Sequence, residues 1–185
     1  LSQTEGEPYD LKRDDAFLAG MPLIEVAKAW NLNITTFTGW EGKHLGYYSP
    51  KEQVIALGTK NASTFAHELV HAADDRNGAF HLEKYGTDKR TRSDAEVVAE
   101  LGGAALLAVI GLEQEADLGG AFKYVQSWAP EGDARLAAFR VLDRILKAVQ
   151  LVLDTAQQFR NEGATAAVTP TPMAMVEPAP APTPT

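Results

Sequence analysis

The nine residues Ala66-His67-Glu68-Leu69-Val70-His71-Ala72-Ala73-Asp74 contain HELVH at positions 67–71, and fold and chemistry alike turn on whether this stretch is a helix. On an α-helix, residues four apart differ by about 40° in direction and about 6 Å in height. His67 and His71 would then leave one face and could each bring a ring nitrogen to about 2.0–2.1 Å from a single zinc ion. Glu68 lies about 100° around from His67, beside such an ion and off it. From there its carboxylate can take a proton from water without displacing that water. HExxH is an established zinc-peptidase spacing, and three fixed residues in five positions recur by chance in well under about one chain in a hundred of this length. Phe65, Leu69, Val70 and Ala73 give the helix an apolar side, and the β-type run VIALGT (54–59) comes just before it.

A catalytic zinc needs a third protein ligand and an open position. A metzincin-type continuation would put Gly at 74 and His at 77, where this chain has Asp74 and Asn77. An aspartate-type ligand would sit in a Gly-Thr-x-Asp pattern, and Gly86-Thr87-Asp88 lacks the spacer. The segment DAEVVAELGGAALL offers two glutamates instead, Glu96 and Glu100, four apart and so able to face the same side of a helix. They stand among Val97, Val98, Ala99 and Leu101, which favour burial. A carboxylate buried there is expected to be paired or metal-bound, because leaving it unpartnered is costly. Spacing alone leaves both glutamates open as the ligand. Gly102, Gly103, Ala104 and Ala105 would let this helix approach the HELVH helix closely.

The rest of the chain bounds the reading. It has 185 residues, enough for one domain with an appendage and a real core. Net charge is -8, and basic residues neither form a run nor alternate with aromatics, which argues against a nucleic-acid groove. VAKAWNLNI faintly suggests the first helix of a helix-turn-helix, but no basic second helix follows. There is no cysteine, so disulfides and cysteine-ligated zinc are excluded. The longest strongly apolar run, Ala104 to Leu112, is far short of the roughly 20 residues a membrane helix needs. The N-terminus is polar and acidic, unlike a signal peptide, so a cytoplasmic location with no membrane partner is expected. It also lacks an initiating Met, and a larger parent polypeptide is expected.

Six of the ten prolines fall after Gly163, alternating with Ala and Thr. This composition predicts a disordered tail over 161–185, after a folded part at 16–160 and a loosely ordered segment at 1–15. Within the folded part, PLIEVAKAWN (22–31) reads as a helix with Pro22 in its first turn. ITTFTG, HLGYY and VIALGT read as two or three strands, with VIALGT offered as an edge on which an extended peptide could add a strand. Asn61 or Ser63 caps the HELVH helix, which should fray at DDRNG. Ser93 is the expected N-cap of the next helix, with Glu96 as its capping-box partner and Leu112 at its end. A shorter helix is predicted at about 117–128 and a long one at about 132–160. On the long helix, Phe139, Leu142, Leu146, Val149, Leu153 and Ala156 form a seam expected to pack on the chain's own core.

Taken together, PLIEVAKAWNLNI, GYYSPKEQVIAL, TFAHELVHAAD and SDAEVVAELGGAALL resemble the zinc-peptidase domain of ArdC-type antirestriction and phage polyvalent proteins, a family related to the ImmA/IrrE-type gluzincins. The resemblance covers about 20 to 155 and is most specific in HELVH and AEVVAELGGA. It implies that His67, His71 and Glu96 are the ligands of Zn2+ and that Glu68 is the catalytic base. Glu100 would then hold a histidine's other ring nitrogen. The family's N-terminal single-strand-binding domain has no counterpart here, so the expected partner is a protein or peptide substrate and not a nucleic acid. His81 and Tyr85, between the two helices, are candidate hydrogen-bond donors to an oxyanion. Trp30, Trp40 and Trp128 are expected in the core, His44 in a strand or loop, and at most one of Tyr47 and Tyr48 in a cleft. The expected fold is α+β, a minimal zincin: a small, mainly antiparallel sheet packed on the HExxH helix, with a helical C-terminal half. The alternative to a peptidase is a non-catalytic zinc-binding module that mediates assembly.

Overall fold

Asn61 opens the helix that carries HELVH. Its extended backbone and its side-chain oxygen, 2.8 Å from the Ser63 amide, satisfy an N–H that the first turn would otherwise leave without a partner. The helix runs over Ala62–Arg76. It stops where Gly78, at φ 71°, turns the chain so that the Gly78 and Ala79 amides bond back to the Asp75 and Asp74 carbonyls. The structure is a computed structural model and describes residues 15–37, 45–79, 88–116, 123, 125–127 and 133–167. Its elements in order are helices α1 (Asp15–Ala19) and α2 (Ile24–Ala29), strands β1 (Asn33–Thr36), β2 (Gly46–Ser49) and β3 (Val54–Leu57), then helix α3 just described. Helix α4 (Lys89–Val109), a 3-10 turn at Glu113–Glu115 and helix α5 (Ala134–Ala167) complete it. The class is the expected α+β, with a three-stranded mixed sheet and a helical C-terminal half.

The strand order is β1-β3-β2. β3 pairs antiparallel with β2 across a tight turn and parallel with β1. VIALGT is therefore the central strand and cannot accept an added one. Its density of apolar residues is what two flanking strands and a packed face require. Ile55 and Leu57 lie fully buried against Phe65 and Leu69 in one core, which Val26, Val97, Val98 and Leu106 extend. Trp30 belongs to this core, and its indole N–H donates to Thr155 at 3.2 Å.

Two expectations about the helices need correction. Ser93 is not a cap. α4 begins four residues earlier, capped by Asp88, whose carboxylate accepts from the Arg90 amide at 2.9 Å. The first turn, KRTR, is polar and so gave no apolar periodicity, while Ser93 lies buried inside the helix. The second correction concerns α5, whose inward line is Ala137, Val141, Ile145, Ala148, Val152 and Ala156. Of the expected seam only Ala156 is fully buried. Phe139, at 74% exposure, and Leu142 and Leu146 face outward. The small alanines allow close helix packing, and a reading weighted toward large side chains passes over them. The helix also continues to Ala167, beyond the expected tail boundary. Of the predicted helix at 117–128, residues 123 and 125–127 are described and are helical, and the others lie outside the described residues. No described helix is long and apolar enough to cross a membrane.

Neighbouring positions test the corrected face. Ile145→Ala should cost about 2–4 kcal/mol of folding stability, the usual range for truncating a buried Ile. Leu146→Ala, at an exposed position, should stay within about 0.5 kcal/mol. Denaturant titration of the two variants checks this, and equal losses would contradict it.

Candidate metal centre

Two glycines set the distance between α3 and α4. A Cβ on Gly103 would stand 3.0 Å from the His67 backbone nitrogen, and one on Gly102 would meet a Val70 methyl at 2.8 Å. Only hydrogen fits there, so the backbones touch, as the small-residue run suggested. Glu96 and Glu100 lie seven and three residues before Gly103, on the same side of α4, and the close approach carries both to the histidines.

His67, His71 and Glu96 come together. Each offers one ligand atom, and these atoms lie within 4.8 Å of one another. His67 Nε2 is 3.7 Å from Glu96 Oε2, and His71 Nε2 is 4.0 Å from Glu96 Oε1. Ligand atoms around a tetrahedral ion at 2.0–2.1 Å are separated by roughly 3.4 Å, so small side-chain adjustments close the set. Two imidazoles and a carboxylate suit a divalent transition ion, and the residues fit such a group. Glu100 holds the far side of the first ligand: its Oε2 lies 3.1 Å from His67 Nδ1, which leaves Nε2 directed at Glu96. This is the arrangement in which an outer carboxylate orients a metal-binding imidazole. Glu100→Ala should accordingly weaken metal affinity by about 10–100-fold and leave the stoichiometry unchanged, as read by competition with a chelator.

Burial and charge divide the titrating groups. Burial disfavours the His67 imidazolium, but hydrogen bonds to Glu100 and Glu96 and the charges of Glu68 and Glu96 outweigh it and hold its pKa at about 10. Burial, aided by the charges of His67 and Arg144, brings His71 down to about 3 against the pull of Glu96. Burial also raises Glu68 to about 7. The His67 charge and a hydrogen bond from the Tyr48 backbone oppose that rise, and Glu96 adds to it. In the metal-free protein at pH 8, His67 is thus protonated and His71 neutral. Metal uptake at that pH should release at least one proton per ion, the one on His67, because a bound imidazole nitrogen cannot keep its proton. Calorimetry in buffers of different ionisation enthalpy measures this number, and a value near zero would contradict the pairing of His67 with the glutamates.

Other contacts around the ligands were not anticipated. Arg144 of α5 forks onto Asp74, the residue three after His71, with Nε 3.2 Å from Oδ1. One turn earlier on α5, Arg140 binds Asp94, two residues before Glu96, with Nε at 2.9 Å. α5 supplies none of the clustered ligand atoms but braces both ligand-bearing helices. The four-residue spacing of Arg140 and Arg144 was the available signal. Tyr48 faces α3 and Tyr47 the outer face of the sheet, as alternation requires. His81, Tyr85, His44, Trp40 and Trp128 lie outside the described residues.

Comparison with known proteins gives a consistent result. The chain is similar to the antirestriction protein ArdC of plasmid R388 in its metal-free crystal structure, at 28% identity and a TM-score of 0.50. It is similar to the Mn(II)-bound crystal structure of the same protein, at 28% identity and a TM-score of 0.51. These alignments cover 74% and 72% of this chain and 51% of the ArdC chain in each case, so the chain spans about half the length of the protein it matches. No protein-family model matches the chain, and no curated protein does. The likeness agrees with the ArdC part of the resemblance read from the sequence, and the Mn(II)-bound form is in keeping with a divalent-metal site.

Proposed function

We propose that this chain is a zinc-dependent metallopeptidase domain of the gluzincin kind, with ImmA/IrrE-type relatives, acting on protein or peptide substrates. The observation that carries this reading is the clustering of His67, His71 and Glu96 with Glu68 beside them and outside the ligand set. Zinc, when bound, polarises a scissile carbonyl and lowers the pKa of a bound water toward about 7. His67 and His71 would hold the ion through their ring nitrogens, with Glu96 as the third ligand. Glu68, a buried carboxylate beside the ligand set, is poised both to accept a proton from the attacking water and to return it to the departing amine nitrogen. Glu100 keeps the His67 ring oriented throughout. By its likeness to ArdC, the domain belongs to an antirestriction setting in a longer polypeptide encoded by a phage or mobile element.

The test is cleavage of a mixed pool of unstructured peptides by zinc-loaded protein with and without a chelator. Peptide bonds should be broken in a chelator-sensitive way. The second reading, a non-catalytic zinc-binding module, is favoured by the fact that the ArdC likeness speaks for metal binding and antirestriction only. Stable metal binding with an untouched pool would select it.

A further inference from the structure

Strand β2 lies along one face of α3. A Cβ at Gly46 would stand 2.8 Å from Thr64 Cγ2 and 3.2 Å from Glu68 Oε1, so this end of β2 rests directly on the proposed base. Two residues on, the Tyr48 hydroxyl donates to Asp75 Oδ2 at 2.8 Å. Glu68 and Asp75 are seven residues apart, which is two helical turns and within about 20° of the same direction. The Tyr48 side chain therefore spans the distance from Glu68 to the last turn of α3.

The main chain completes the arrangement. The Gly58 amide donates to the Leu45 carbonyl at 2.8 Å, so the Leu45 backbone groups face β3. Along a strand these directions alternate, which turns the Tyr47 backbone groups toward β3 and those of Gly46 and Tyr48 away from it. The outward Tyr48 N–H is the one that Glu68 takes. One residue thus grips α3 twice, through its amide on Glu68 and through its hydroxyl on Asp75.

We propose that Tyr48 and Asp75 are positioning residues for Glu68: Asp75 anchors the tyrosine ring, and the anchored ring seats the Tyr48 amide on the Glu68 carboxylate. Both residues act on the reaction through Glu68. The pair fixes which way the carboxylate turns in a site where a misplaced base would sit too far from water to act. The catalytic consequence rests on the reading of Glu68 as the proton acceptor, whereas the structural consequence does not.

The test therefore has two readouts. The first is amide hydrogen exchange in the metal-free protein. Tyr48→Phe and Asp75→Ala should each speed exchange of the residue-48 amide by about tenfold or more, with the residue-47 amide, held by β3, unchanged. Asp75→Asn keeps an oxygen acceptor and should restore wild-type exchange. The second readout is peptide cleavage by the zinc-loaded full chain. Both disruptive variants should lower kcat by about tenfold at constant KM and constant zinc content, with Asp75→Asn rescuing. Unchanged exchange at residue 48, or equal acceleration at residues 47 and 48, overturns the proposal. A selective change in exchange in a protein that cleaves nothing supports the positioning pair and refutes the peptidase reading instead.

Discussion

His71→Ala should leave a folded chain that no longer retains a metal ion. His71 is neutral and buried at the meeting point of α3 and α4, and its Nε2 lies 4.0 Å from Glu96. Removing it leaves a two-ligand set. Binding free energies of three- and four-ligand zinc sites imply that one lost ligand costs on the order of 10³-fold in affinity. Glu96→Ala should be equally severe and Glu100→Ala far milder. Elemental analysis of protein purified without added metal, together with chelator competition, ranks the three variants. Near-stoichiometric zinc in His71→Ala, or a Glu100→Ala defect as deep as that of Glu96→Ala, would show that the ion is held elsewhere or one turn further along α4. Folding itself should survive, because the core residues around His71, Leu69, Val70 and Ala72 among them, pack without its ring.

The second large effect is catalytic. Glu68→Gln keeps the size of the side chain and an oxygen to accept the Tyr48 amide, and removes only the capacity to take up a proton. Zinc content and thermal stability should match wild type, since Glu68 is outside the ligand cluster. Turnover should fall by about 10²–10⁴-fold, the usual contribution of a general base. Burial pushes the Glu68 carboxyl up in the metal-free site, and a divalent ion at the histidines would pull it back down. Equal turnover by Glu68→Gln and wild type would point to a different base or a contaminating protease.

The legible parts of this molecule were those in which a local rule acts alone. The cap at Asn61 (one of the two residues offered), the HELVH helix and strands within the three β-type runs follow from capping chemistry and periodicity over a few residues, and the structure has all of them to within a few residues. The close approach of α4 at Gly102 and Gly103 was legible because a run of small residues has few other uses beside buried carboxylates. Long-range choices were not. That β3 would lie between β1 and β2 depends on a parallel pairing over seventeen intervening residues, Phe37 through Gln53 carrying no mark of which edge stays open. The inward face of α5 is set by alanines fitting α3 and α4, and large exposed residues at 139, 142 and 146 mimic a core seam in one dimension. At the site, two histidines and a choice of two glutamates could be read from spacing. The arginines of α5 that brace the ligand helices, and the Tyr48–Asp75 pair behind Glu68, join residues 27 to 70 positions apart. The four-residue spacing of Arg140 and Arg144 marks a shared helix face, but no local pattern names the partners.

One titration bears most directly on the central claim, that His67, His71 and Glu96 hold a zinc ion on which Glu68 depends for peptide hydrolysis. Metal-stripped wild-type protein is given zinc in fractions of an equivalent, and bound zinc and peptide cleavage are followed together. Cleavage should appear with the first addition, rise in proportion to bound zinc and level off at one ion per chain. Zinc taken up to one equivalent with no bond broken at any point would contradict the account.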